Sequence, residues 1–157
     1  TLDRFVLAFQ ASFRRMYDEG HEEPLYDGAM STLRRLKANG WRLAVATGQN
    51  RRGVTRNLAR EGWADLFLSS HCAEDGPGKP DPAMLQAAMA ACQACPATTL
   101  MIGDTAHDHK MASNAGVKAI GVAWGFHTPM EQLDAGAIAV ATDFAHLDCI
   151  LDAAAAG

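Results

Sequence analysis

The sequence predicts an α/β protein, a Rossmann-like parallel sheet with helices on both faces. Segments with helical spacing alternate with short strands, the strands are almost continuously apolar, and glycine or proline punctuates the boundaries. Strands covered by helices on both sides are expected to be apolar along their whole length. A chain of 157 residues is long enough to bury a substantial core.

The predicted elements follow one another in a regular order. Helices are expected at about residues 3–19, 29–39, 51–61, 81–93, 106–115 and 145–156, and strands at 41–47, 65–70, 99–103, 118–124 and 137–142. Gly40 suits a left-handed residue that ends the second helix. Sites in such sheets form at the carboxyl ends of the parallel strands, so polar residues at those ends are the candidate site residues.

Composition narrows the class of partner. The net charge is −4 and the 14 basic residues are spread along the chain, which argues against nucleic-acid binding. No segment is apolar enough to suggest a membrane span, and the expected location is the cytoplasm. Four cysteines without secretory marks are expected to be reduced thiols: Cys72, Cys92, Cys95 and Cys149. The expected partner is a small molecule.

The strand 41–47 ends in Thr47 and Gly48, shortly before a helix. A hydroxyl beside the free N–H groups of a helix start suits a phosphate oxygen. The same pair also serves as an ordinary turn and N-cap, so both interpretations stay open at this point.

Lys79 lies in the loop "GPGKPDP", where flanking prolines restrict the backbone. A lysine held in this way can neutralise a phosphate or a crowded set of carboxylates. A solvated loop lysine is the default alternative.

Asp104 follows the apolar strand 99–103, and Asp108 lies about one helical turn further on. Both carboxylates can therefore face one cavity. Hard oxygen ligands of this kind suit Mg²⁺, which keeps several waters and binds one or two carboxylates together with a substrate phosphate. Helix capping would explain one of the two aspartates equally well.

These three strand ends together resemble the later motifs of the haloacid dehalogenase superfamily, and particularly its phosphoglycolate-phosphatase-like branch. The resemblance covers residues 25–145 and includes "GKPDPAMLQAAM" and "MIGDTAHDHKMASNAGVKAIGVAWGFH". It implies a Mg²⁺-dependent phosphatase that hydrolyses a small phosphorylated metabolite through an aspartyl-phosphate. It also implies site roles: Thr47 and Gly48 hold the phosphoryl group, Lys79 balances charge, and Asp104 and Asp108 bind Mg²⁺, Asp104 most directly.

The D-x-D-G-T motif that supplies the nucleophile in that family does not occur in this sequence. By the resemblance, residues 1–24 would be the C-terminal remnant of a helical cap, and residues 25–157 an incomplete core domain. We therefore expect the central first strand to be missing and the chain to be inactive by itself.

Several alternatives remain at this stage. The chain could be part of a longer phosphatase, its sheet could re-pair or swap strands in a homodimer, or it could be a catalytically dead binding or scaffold module. A receiver-like signalling domain is a further alternative.

Two other patterns favour ordinary structural roles. The C-x-x-C of Cys92 and Cys95 falls at the end of a predicted helix, where the helix dipole should raise the thiol pKa, and this argues against zinc or redox chemistry. His107 and His109 lie on different faces of their helix and are expected to be solvated.

Overall fold

The computed structural model describes residues 6–9, 28–48, 50–60, 65–125 and 127–156. Its strands are β1 (Val6–Phe9), β2 (Arg42–Ala46), β3 (Phe67–His71), β4 (Thr99–Gly103), β5 (Lys118–Val122) and β6 (Ala139–Ala141). Its helices are α1 (Ala29–Ala38), α2 (Arg51–Arg60), α3 (Ala83–Ala91), α4 (Ala106–Asn114), α5 (Pro129–Asp134) and α6 (Phe144–Ala156). The strands form one sheet in the order β3-β2-β1-β4-β5-β6, and all neighbouring strands are parallel.

Two hydrophobic clusters pack on opposite faces of this sheet. The larger joins α1 and α6 to the strands and includes Leu33, Leu36, Leu147 and Leu151. The other joins α3 and α4 to the strands through Leu85, Met89, Met111 and Ala112. The predicted α/β architecture, with helices on both faces, is confirmed.

Strand β4 shows how one apolar run serves both clusters. Leu100 and Ile102 belong to the cluster under α1 and α6, whereas Met101 belongs to the cluster under α3 and α4. Side chains alternate between the two faces of a strand, so a strand covered on both sides has to be apolar at every position.

The prediction of a missing central strand is wrong. Strand β1 lies between β2 and β4: Val6 is in register with Arg42 on one side and Thr99 on the other, and Phe9 with Val45 and Ile102. The helix predicted over 3–19 is therefore wrong at Val6–Phe9, and its other residues lie outside the described part of the chain. Periodicity cannot separate a short apolar run in a strand from one in a buried helix. Pairing on both edges satisfies backbone groups of β2 and β4 that would otherwise remain open.

The boundaries elsewhere agree with the predictions to within a few residues, with one omission. Gly40 has φ +91° and follows α1, as its predicted left-handed role requires. Helix α5 was not predicted, although its sequence carries a start signal: Thr128 and Glu131 form a capping box around Pro129. At six residues, α5 is too short for a clear helical period.

Candidate active site

The carboxyl ends of β2 and β4 and the loop before α3 meet at one edge of the sheet. Lys79 connects them, because its ammonium donates to the Ala46 carbonyl at 3.2 Å and also to Asp108 Oδ1. Ala46 is the last residue of β2 and precedes Thr47, while Asp108 lies in the first turn of α4. The structure thus joins Lys79 directly to Asp108 and to the end of β2 next to Thr47, while Asp104 follows β4 at the same edge.

Asp108 is held from several sides. Its Oδ1 pairs with Lys79, and its Oδ2 accepts from the Thr105 hydroxyl at 3.0 Å, the Thr105 N–H at 3.2 Å and the Asp104 N–H at 3.3 Å. In return the Thr105 hydroxyl accepts from the Asp108 N–H at 3.3 Å, which completes a capping box at the start of α4. The alternative of a capping aspartate thus applies to Asp108.

The Lys79–Asp108 pair is almost inaccessible to water, with side-chain exposures of 8% for Lys79 and 0% for Asp108. Removing water from two charges is costly, and only their mutual attraction together with further hydrogen bonds offsets that cost. The carbonyl of Ala46 and the donors around Asp108 supply those bonds. Lys79 is therefore fixed in position instead of solvated, which rules out the default alternative for this lysine.

Gly103 makes the close approach of Asp108 to β4 possible. A Cβ atom at position 103 would lie 2.5 Å from Asp108 Cβ and 2.6 Å from its Oδ2. A real Cβ atom does not make non-bonded contacts that short, so a larger residue would displace the carboxylate. The Gly-Asp sequence at the end of the strand thus has a steric explanation.

Asp104 is buried directly after β4, with 4% of its surface exposed. Its carbonyl accepts from the His127 N–H at 3.1 Å, so the chain after β5 returns to it. A Cβ at Gly125 would overlap the Asp104 side chain, which shows how closely this returning segment packs. Asp104 is thus covered by backbone on the side of Gly125.

Thr47 and Gly48 differ in accessibility at the end of β2. Thr47 is 2% exposed, and its N–H donates to the His71 carbonyl at 3.0 Å, continuing the pairing of β2 with β3. Gly48 is exposed. Asn50 then caps α2 by accepting from the Gly53 N–H at 2.8 Å. The Thr47 amide is thus used within the sheet.

Two residues that follow β5 were not predicted to belong to this site: His127 and Gln132. The ring Nδ1 of His127 accepts from the Ala106 N–H at 2.8 Å, at the first residue of α4. Gln132 is fully buried and donates to the His127 carbonyl at 3.0 Å. The capping box of α5 was the signal in the sequence that could have located Gln132 on a helix.

His109 departs from its predicted solvation. It is 1% exposed, and its Nε2 lies 3.0 Å from Gln132 Oε1. The prediction is wrong because α5 covers this face of α4. His107 is exposed, as predicted.

A second charged cluster lies at the carboxyl end of β3. Arg51 contacts Asp75 Oδ2 at 2.5 Å and Ser70 Oγ at 2.7 Å. The Cys72 N–H donates to Asp75 at 2.8 Å, and this bond, aided by Arg51, lowers the pKa of Asp75. Burial lowers the pKa of the neighbouring His71. His71, Cys72 and Asp75 line a cleft with Met84 of α3, beside the loop that carries Lys79.

The four cysteines are free thiols. Burial raises the pKa of Cys92, whereas a hydrogen bond from the Thr98 hydroxyl lowers the pKa of Cys95. The predicted rise at the helix end is therefore wrong for Cys95, because this residue begins a separate 3-10 turn, Pro96–Thr98. Among the residues that the structure covers, no three His, Cys, Asp or Glu side chains are grouped as metal ligands.

None of the helices in the described ranges is both long and apolar enough to span a bilayer.

The chain belongs to the haloacid dehalogenase-like hydrolase family, whose model matches residues 2–116. This assignment agrees with the sheet and the strand-end residues described above, and it removes the basis for the receiver-like alternative. The match begins before β1 and extends through α4, so it includes the Lys79 loop and both aspartates.

Similar proteins carry phosphatase names. A probable phosphatase, IndB, of Dickeya dadantii is 38% identical over 88% of this chain and 60% of its own length. A phosphoglycolate phosphatase of Psychrobacter arcticus is 31% identical over 81% of this chain and 55% of its own. A crystal structure of a predicted phosphoglycolate phosphatase from Haemophilus somnus aligns with a TM-score of 0.77 and 27% identity, covering 84% of this chain and 59% of that one. The chain thus spans little more than half the length of these relatives.

Proposed function

We propose that this chain supplies the phosphate-binding and cation-binding part of a phosphatase that hydrolyses a small phosphate monoester. The observation that carries the proposal is the position of Lys79, which joins the end of β2 to Asp108 beside β4. A fixed ammonium and a helix start at the same sheet edge can stabilise the negative charge that develops on a transferring phosphoryl group. The phosphatase names of the relatives agree with this chemistry.

The two aspartates fit a hard divalent cation such as Mg²⁺. Both are buried carboxylates at the site edge, and Mg²⁺ is typically held by one or two protein carboxylates with waters and substrate phosphate. Asp108 already accepts hydrogen bonds at both oxygens, so we assign direct contact to Asp104 and a supporting role to Asp108. When bound, the cation would neutralise charge between a nucleophile and the phosphate.

The chain's own residues have distinct tasks in this proposal. Thr47 and Gly48 orient the phosphoryl group at the end of β2, and Lys79 balances charge while holding Asp108 in place. The attack itself needs a carboxylate that forms an aspartyl-phosphate as the ester bond breaks, followed by hydrolysis with water. We assign that carboxylate to a D-x-D-G-T segment outside these 157 residues, and expect the chain alone to be inactive. Because Val6–Phe9 form the central strand of the sheet, a cap remnant within 1–24 is restricted to its other residues. That remnant, a cytoplasmic location and a homodimer stay predictions.

A binding module without catalysis is the second candidate. Strand β1 fills the central position, and the residues that follow Phe9 in the sequence are Gln10, Ala11 and Ser12, none of them acidic. Such a chain could still bind phosphate and a cation.

Isothermal titration of Mg²⁺ into the chain tests the cation assignment. Asp104→Asn should weaken binding at least about tenfold, a loss typical even of outer-shell partners. Asp134→Asn is the matched control, because it removes one exposed carboxylate at the end of α5. Equal affinities of the two variants would contradict the role of Asp104.

Hydrolysis of p-nitrophenyl phosphate with Mg²⁺ separates the two functions. A longer protein that joins this chain to the D-x-D-G-T segment should hydrolyse p-nitrophenyl phosphate, and the 157-residue chain should not. Turnover by the chain alone would refute the assignment of the nucleophile. A longer protein that binds Mg²⁺ without turnover would favour the binding module.

A further inference from the structure

The segment after β5 returns to the start of α4 and contacts it with both backbone and side chain. The His127 N–H donates to the Asp104 carbonyl at 3.1 Å, and His127 Nδ1 accepts from the Ala106 N–H at 2.8 Å. The first N–H groups of a helix have no partner within the helix. His127 therefore acts as an external cap of α4, directly beside Asp104.

The cap fixes the protonation pattern of the imidazole. Because Nδ1 accepts from Ala106, the neutral ring carries its proton on Nε2. The His107 ring lies at a centroid distance of 6.3 Å, tilted by 53°. His127 thus presents a defined tautomer next to the candidate active site.

Gln132 holds the backbone at His127 in place. Its amide nitrogen donates to the His127 carbonyl at 3.0 Å and to the Val122 carbonyl at 2.9 Å. Its Oε1 accepts from the Val122 N–H at 3.2 Å and lies 3.0 Å from His109 Nε2. Every donor and acceptor of the amide is used, and the residue is fully buried. One side chain therefore joins β5, α4 and the segment that covers Asp104.

The neighbouring backbone is shaped for this arrangement. A Cβ at Gly121 would overlap Gln132 Oε1, and a Cβ at Gly125 would overlap Asp104. Two positions without side chains thus allow Gln132 and Asp104 to pack closely against the same stretch of chain. A buried polar group with all its bonds satisfied specifies one arrangement, since any shift leaves a donor or acceptor unpaired.

We propose that Gln132 is a positioning residue of the candidate active site, which acts by holding the His127 cap against Ala106 and Asp104. The inference rests on the proposed function in one respect, since that function gives the position of Asp104 its importance. Gln132 itself contacts neither aspartate in this arrangement; its effect passes through His127.

Gln132→Met tests the proposal, because methionine is close in size and lacks the four hydrogen bonds. Glu131→Ala is the matched control on the same helix: it removes the carboxylate that accepts from the Thr128 N–H and leaves the Gln132 amide intact. Both variants weaken α5, so an effect of Gln132→Met alone reports positioning and not a general loss of stability.

Nitrogen NMR of the His127 ring is the first measurement and needs no cation. In the wild type we expect separate signals for a protonated Nε2 and an accepting Nδ1. Gln132→Met should bring these signals together and should speed solvent exchange of the Ala106 amide about tenfold or more, as local opening predicts. Unchanged ring signals, or equal changes in Glu131→Ala, would overturn the proposal.

Mg²⁺ titration of the same variants is the second measurement. Gln132→Met should weaken the affinity about tenfold, because it releases His127, the residue that contacts Asp104 as an outer-shell partner would, and Glu131→Ala should not. Equal affinities combined with a changed His127 ring would overturn the link to Asp104. If the wild type binds no Mg²⁺, the cation assignment fails, while the ring and amide signals still support or refute the positioning of His127.

Discussion

Two aspartate–cation pairs at the carboxyl edge of the sheet differ in burial. Lys79 and Asp108, between β2 and β4, are 8% and 0% exposed, whereas Arg51 and Asp75, at the end of β3, are 38% and 41% exposed. In both pairs the cation contacts the carboxylate directly. The two pairs differ in their exposure to water. Water screens the charges of the exposed pair, whereas the charges of the buried pair have to be satisfied by groups of the protein. Burial therefore marks the pair on which the candidate site depends.

The largest effect should come from removing one buried charge. Lys79→Met leaves the Asp108 carboxylate buried without its cation, and we expect a loss of about 3–5 kcal/mol in the free energy of unfolding. Arg51→Met, at the exposed pair, should cost less than about 1 kcal/mol. Urea denaturation measures both.

A double variant keeps this comparison decisive if Lys79→Met fails to fold. Lys79→Met combined with Asp108→Leu removes both charges, and it should recover much of the lost stability because no charge remains buried. A single Lys79→Met variant as stable as Arg51→Met would show that burial does not distinguish the two pairs.

A steric change should give an intermediate effect. Gly103→Ala places a Cβ 2.5 Å from Asp108 Cβ, and displacing the carboxylate should cost about 1–3 kcal/mol. Gly78→Ala, in the loop beside the exposed pair, is the control because nothing lies within 4 Å of its added Cβ. Thermal unfolding of the two variants should separate them; equal melting temperatures would mean that Asp108 moves aside freely.

The smallest effect should come from Asp75→Asn. The pKa of Asp75 is lowered in the folded protein, chiefly by the Cys72 N–H, so its ionised form contributes stability above its unfolded pKa. That contribution is lost as the pH falls through the lower folded pKa. Asp75→Asn should thus be slightly less stable than the wild type at pH 7, and the difference should disappear in strong acid. A difference that grows with acidity would contradict this sign.

Much of the arrangement around Lys79 could be predicted from the sequence, because each residue follows an apolar strand or lies in a loop restricted by prolines. The parallel sheet then brings these ends together by topology alone. His127 and Gln132 could not be found in this way. Their roles depend on the contact between α5 and α4, which is tertiary and cannot be inferred from local sequence. At six residues, α5 is also too short to show a clear helical periodicity.

Strand β1 shows a different limit of sequence reasoning. Its four apolar residues fit a helix or a strand equally well by pattern, and the pairing needs of β2 and β4 decide between them. The family resemblance predicts an unfilled position because it links the central strand to the D-x-D-G-T motif, which this sequence lacks. The backbone groups of β2 and β4 need a paired strand between them, whichever motif that strand carries.

The position of β1 also has a consequence for how the molecule folds. Val6 pairs with Arg42 and with Thr99, so the central strand joins partners that are far apart in sequence. Such non-local pairing slows folding, because long loops lose conformational entropy on closing before the strand hydrogen bonds form to offset that loss. The β3-β2 pair and the β4-β5-β6 group can each assemble from nearer segments. Their union through β1 is the step that we expect to limit the rate at which the sheet is completed.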